Sequence, residues 1–190
     1  MIMRPLELPD VVEILPVRRS DERGFFSEVW RADALESEGI SIDWVQDNHS
    51  FSATAGVIRG LHFQTPPCAQ DKLVRVTRGS IFDVAVDIRQ GSPTFGRWVG
   101  LVISAEKWNQ ILVPKGFAHG FMTLEPNCEV LYKVSAPYAP AHDRAIRYDD
   151  PAIGVEWPDV EADVLLSQKD ASAPRLAYVE TGFVYEREHD

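Results

Sequence analysis

From Lys72 to Ser135 the chain keeps repeating one unit, a short alternating strand followed by a turn marked by glycine or proline. Lys72, Val74 and Val76 fall on one strand face, and Leu73, Arg75 and Thr77 on the other. Past Gly79, the set Phe82, Val84, Val86 and Ile88 opposes Ile81, Asp83, Ala85 and Asp87. Gly91-Ser92-Pro93 turns the chain towards Trp98–Ser104. Ile111–Val113 then leads into Pro114-Lys115-Gly116, and Glu129–Ser135 alternates with Val130, Tyr132 and Val134 together. The best helix signal in the first half is short, Asp33 to Ser37 with Gly39 as its stop. Such closely spaced strands with so little helix predict an all-β sandwich or barrel.

A chain of 190 residues, 45% hydrophobic, suits one well-filled domain spanning 1–190. Its net charge of −10 argues against nucleic acid or an anionic membrane as partner, because both call for a basic surface. A small anionic ligand held by a local cationic cluster stays open. Cys68 and Cys128 have no metal-type spacing, so no disulfide framework is expected. The opening MIMRPLELPD lacks the apolar run of a signal peptide, and no stretch nears the ~18 apolar residues of a membrane span. A soluble, cytoplasmic protein is the expectation.

Chemistry concentrates between Val57 and Gly79, where Arg59, His62 and Lys72 fall among β-formers around a proline-interrupted loop. A lone histidine is more often a buried structural residue than a catalyst. Imidazole nevertheless titrates closest to neutral pH, and two flanking cations make His62 a candidate base. Arg59 and His62 are three apart, so a regular strand would turn them to opposite faces. If both meet one ligand, the backbone must bulge near Gly60, which glycine permits. Elsewhere, Glu22 to Trp30 mixes charges with aromatics around Gly24. It reads either as an edge strand with solvated charges or as a clamp in which Arg23 meets a phosphate and Phe26 stacks. Gln46, Asp47, Asn48 and His49 read equally as a loop or as a hydrogen-bonding rim.

Two segments, Gly56–Gly79 and Pro114-x-Gly116-x-x-His119, resemble the two motifs of cupin jelly-roll barrels. Metal-binding cupins carry a His-x-His pair and a downstream Glu in the first motif. Here the pair is His62-Phe63-Gln64, and no Glu follows before Gly79, so the usual metal site cannot be assembled. More narrowly, the chain resembles the dTDP-4-dehydrorhamnose 3,5-epimerase family. The residues that carry this include Asp21-x-Arg23-Gly24-x-Phe26-x-Glu28, Gln46-Asp47-Asn48-His49-Ser50 and Ile58-Arg59-Gly60-Leu61-His62-Phe63-Gln64. Lys72-Leu73-Val74, Tyr132-Lys133, Tyr138-Ala139-Pro140, Tyr148-Asp149-Asp150-Pro151 and Leu166-Ser167-x-Lys169-Asp170 continue it in the family's order.

The resemblance implies a cupin-like jelly-roll core over about 45–140, with a few short helices and irregular extensions at both ends. It implies His62 as base, Asp170 as the carboxylate that orients it, Tyr132 as the opposing proton donor and Lys72 at the developing enolate oxygen. Asp83 is a weaker rival for the role of Asp170. It implies substrate binding by Arg23, Phe26, Glu28, Gln46, Asn48, Arg59, His119, Tyr138, Asp143 and Lys169. Asp143 departs from the Glu that family members often carry. The implied ligand is a dTDP-linked 4-keto-6-deoxy sugar, with no metal and no cofactor. A homodimer exchanging N-terminal strands is implied as well. Three other readings stay open: inversion of one carbon alone, a non-catalytic nucleotide-sugar-binding barrel, and a metal-dependent cupin oxygenase.

Overall fold

The computed structural model describes residues 1–186; the last four positions of the expected 1–190 domain lie outside the described residues. In chain order the strands are β1 (Ile2–Pro5), β2 (Val12–Leu15), β3 (Arg18–Asp21), β4 (Gly24–Ser27), β5 (Gln46–Ser52), β6 (Ile58–Gln64) and β7 (Lys72–Arg78). They continue as β8 (Ser80–Asp87), β9 (Trp98–Ser104), β10 (Gln110–Val113), β11 (Phe117–Thr123), β12 (Cys128–Val134) and β13 (Asp143–Ala145). Two short α-helices, α1 (Ala32–Glu36) and α2 (Gln168–Ala171), complete the set with one 3-10 turn at Leu176–Tyr178.

A six-stranded antiparallel sheet, β1-β2-β10-β7-β12-β5, faces a five-stranded one, β13-β6-β11-β8-β9. This is the jelly-roll layout of an all-β protein. Alternation explains the fit. Val74, Val76, Ile111, Val113 and Val130 point inward from the first sheet and meet Ile81, Ala85, Val99, Ile103 and Phe117 from the second. Each valine, isoleucine or phenylalanine among them, once fully buried, stabilises the fold by roughly 1.5–3 kcal/mol. The outer faces are covered too. Trp30, Leu35, Ile40 and Trp44 pack over Leu73 and Leu112, while Ile153, Trp157 and Leu176 pack over Val84 and Val86. The extensions that look irregular in sequence thus cover the barrel, and they also widen its sheets beyond the expected 45–140 core, through β1, β2 and β13.

Two segments read differently in three dimensions. The polar stretch 45–51 is an edge strand, β5, paired residue for residue with β12. Its alternation is hydrophilic because its inner side chains, Gln46, Asn48 and Ser50, border polar cavities rather than the apolar core. Residues 22–30 begin as the second strand of a separate hairpin, β3–β4, whose Phe25 ring meets Trp108 edge-on at 4.8 Å.

The bulge expected near Gly60 is present. His119 on β11 pairs with His62 and Phe121 with Arg59, so two steps on β11 match three on β6. Gly60 has φ +145°, and a Cβ there would sit 2.5 Å from the Gly120 Cα. Only glycine suits that crossing. The extra residue turns Arg59 and His62 into the same cavity.

Candidate active site

One end of the barrel opens as a cavity of about 490 Å³. His62 and Arg59 of β6 and His119 of β11 line it from the five-stranded sheet. Lys72 of β7 and Tyr132 of β12 line it from the six-stranded sheet, and Ser167 and Asp170 reach it from the C-terminal segment. An adjoining cleft of about 260 Å³ shares His62, Lys72 and Tyr132 and adds Gln46, Asn48, Tyr138, Asp143 and Lys169.

His62 Nε2 lies 2.5 Å from Asp170 Oδ1. An ionised carboxylate can only accept, so the ring proton sits on Nε2 and Nδ1 carries the lone pair. Asp170 is 3% exposed. Burial works against its charge, but the bonds from the His62 ring and the Ser167 hydroxyl outweigh it and hold the carboxyl below its usual range. Ser167 caps α2, accepting from the Asp170 backbone N–H at 3.1 Å and donating to Asp170 Oδ2 at 2.9 Å. The short capped helix α2 thus delivers a fixed carboxylate to the His62 imidazole.

Tyr132 faces the cavity from the other sheet. Burial pushes its phenol above the ordinary tyrosine value, opposed by the positive charge of Arg59. It is therefore a neutral O–H donor at neutral pH. Lys72 is 8% exposed, and its Nζ donates to the His62 carbonyl oxygen at 3.3 Å. Burial brings its ammonium down to about 8, against the pull of Asp83 and Asp143 and with the push of Lys169. A cation so poorly solvated is primed for a developing negative oxygen.

Gln46, Asn48, Tyr138, Asp143 and Lys169 gather in the adjoining cleft. Lys169 Nζ meets Asp143 Oδ2 at 2.5 Å, and the Tyr138 hydroxyl donates to the same oxygen at 3.0 Å. Gln46 Nε2 donates to Asn48 Oδ1 at 2.7 Å. Arg59 is anchored on β5, donating to the Phe51 carbonyl at 3.1 Å. Arg23, Phe26 and Glu28 are not part of either space. Arg23 pairs with Asp21, while Phe26 and Glu28 line a separate hollow of about 200 Å³ on the N-terminal hairpin. Asp83 does not touch His62; both of its oxygens lie 2.9 Å from His119 Nε2. Ser167 escapes notice as a site residue in the sequence, although Ser-x-x-Asp is a capping pattern that announces it. Among the described residues no three His, Cys, Asp or Glu side chains converge as a metal site would need.

A carboxylate-backed imidazole on one wall, a neutral phenol on the facing wall and a buried ammonium between them equip a jelly-roll barrel for acid–base catalysis on a bound molecule. Comparison with known proteins narrows that class. A family model described as dTDP-4-dehydrorhamnose 3,5-epimerase matches residues 5–178. The dTDP-4-dehydrorhamnose 3,5-epimerase of Sinorhizobium fredii is 50% identical over 185 residues, covering 97% of this chain and 94% of the relative. The crystal structure of a dTDP-6-deoxy-D-glucose-3,5-epimerase from Legionella pneumophila in complex with dTDP-4-keto-L-rhamnose superposes with TM-score 0.93 at 42% identity, covering 98% of this chain and 99% of that one. A 3'-monoepimerase from Streptomyces bikiniensis, solved with dTDP-quinovose, reaches TM-score 0.86 at 35% identity over 92% of this chain and 88% of its own. The chain belongs to the dTDP-4-dehydrorhamnose 3,5-epimerase family.

Proposed function

We propose that this protein converts dTDP-4-dehydro-6-deoxy-D-glucose to dTDP-4-dehydro-L-rhamnose by inverting carbons 3 and 5. A ketone at carbon 4 acidifies the C–H bonds on both neighbours, because either carbanion delocalises into the carbonyl as an enolate. Inversion then needs a base on one face of the ring, a proton donor on the other and a positive group at the ketone oxygen. His62 with Asp170 supplies the first, Tyr132 the second and Lys72 the third, and the proton balance requires no cofactor. One observation supports this above all: the His62–Asp170 pair and Tyr132 line one cavity from facing sheets.

The test is turnover of dTDP-4-dehydro-6-deoxy-D-glucose in deuterated water, followed by NMR. Deuterium at carbons 3 and 5 of the product supports the reading. Label at one carbon alone makes the protein a mono-epimerase, and binding without label makes it a passive nucleotide-sugar barrel. Lys72→Met is expected to lower kcat about 10²–10³-fold, the scale of one preorganised donor to an oxyanion. Its KM should move far less, which a progress-curve assay separates.

The dTDP group sits in the cleft bordered by Tyr138, Asp143 and Lys169, with Gln46 and Asn48 on its β5 side. The active form is a homodimer that exchanges the β3–β4 hairpin, which brings Arg23, Phe26 and Glu28 to a partner's cavity. Phe26, 67% exposed in its own chain, is a stacking face in want of a ring. Light scattering should return twice the chain mass; a monomer of full activity would refute the exchange. A cytoplasmic location suits the two free thiols, Cys68 and Cys128, and among the described residues no helix is long and apolar enough to cross a membrane.

A further inference from the structure

We propose that Asp83 is a positioning residue of this site, one that fixes the tautomer of His119 and acts as the resident counter-charge of Lys72. The inference rests on the epimerase reading and adds to it the state of the groups beneath the substrate. On β8, Asp83 shares the inward face with Ile81 and Ala85 and is 0% exposed. Both its oxygens meet one nitrogen, His119 Nε2, at 2.9 Å. A carboxylate at such depth costs several kcal/mol unless partnered, so its partners decide its charge.

Those partners come from both sheets. Burial pushes the Asp83 carboxyl above its ordinary value, and His119 from β11 and Lys72 from β7 work against that push. His62 of β6 faces His119 across the β6–β11 pair. Asp143 of β13 and Lys169 of α2 act on Lys72 with opposite signs and pair with each other at 2.5 Å. The Asp170 carboxylate is taken up by His62, and Tyr132 and Arg59 line the same cavity. With the Asp143–Lys169 pair self-neutralised, Asp83 is the carboxylate left to balance the Lys72 ammonium.

Charge counting then fixes the states. Ionised Asp83, ionised Lys72 and neutral His119 sum to zero. A neutral Asp83 would strand an ammonium in a desolvated wall. Ionised Asp83 accepts the Nε2 proton of His119, which leaves Nδ1 with a lone pair. His119 therefore accepts a hydrogen bond from a sugar hydroxyl instead of donating one to the diphosphate, and Lys72 remains protonated to meet the enolate oxygen.

Asp83→Asn keeps the shape and removes the charge. Its kcat profile should lose its alkaline limb earlier, by about one pH unit or more, as Lys72 gives up its proton sooner. The loss relative to the unaltered protein should be smallest at pH 6, where Lys72 keeps its proton, and grow as pH rises. A uniform loss at every pH, or an unmoved alkaline limb, would overturn the proposal. Should the variant fail to fold, the unaltered protein labelled with ¹³C-aspartate answers the same question without turnover. The Asp83 carboxyl carbon, assigned by backbone connectivity, should carry the ionised shift from pH 6 to 9. A protonated Asp83 at pH 7 would refute the inference and leave the epimerase reading intact. Absence of deuterium incorporation in the unaltered protein would do the reverse.

Discussion

His62→Asn slows inversion severely: we expect deuterium uptake at carbons 3 and 5 to fall about 10²–10⁴-fold, the range spanned by one general base. The loss belongs to kcat, because the amide keeps most of the imidazole's volume and the cavity its shape. Asp170, now without its ring partner, keeps only the Ser167 bond and the nearby Lys169 charge against its burial, so its carboxyl rises from its depressed position. In the unaltered protein the depressed Asp170 carboxyl contributes stability above the ordinary aspartate range, and this is lost as pH falls through the folded value. The variant should lack that contribution, and acid unfolding curves of the two proteins, compared at equal salt, measure it. Equal deuterium uptake by the variant and the unaltered protein would remove His62 from the chemistry.

Tyr132→Phe separates two events that the intact site couples. His62 still withdraws the proton, and Lys72 still holds the enolate, but the opposite face has lost its donor. The protonated imidazole can then only return a proton to the face it came from. Recovered substrate should carry deuterium with unchanged configuration, while inverted product falls about 10²–10⁴-fold. Mass spectrometry and proton coupling constants on one reaction mixture check both halves. Removing a buried hydroxyl with no protein role would instead leave inversion at full rate.

Much of this site can be read from the chain before folding. The alternation of β7, β8 and β12 sorts Lys72, Asp83 and Tyr132 onto definite strand faces, and the folded barrel turns those faces inward. The spacing of Arg59 and His62 demands a bulge, and Gly60 is the residue able to make it. What a linear reading misses depends on distances of a hundred residues or on water. Asp170 meets His62 across 108 positions and sits on a four-residue helix that no periodicity announces. Strand β5 hides because its inner face borders a polar cavity, so the usual apolar alternation is absent. Which face of β8 turns inward, and which histidine Asp83 then meets, depend on strand order, and β8 neighbours β11, not β6.

The account depends on one ring being approached by imidazole and phenol from opposite sides. A crystal structure with a dTDP-4-keto sugar or its product bound tests this directly. The sugar should lie between the two sheets, with carbons 3 and 5 within about 3–3.5 Å of His62 Nδ1 on one face and of the Tyr132 hydroxyl on the other. A sugar whose reacting carbons face only one of these groups, or rest outside the cavity, would contradict it.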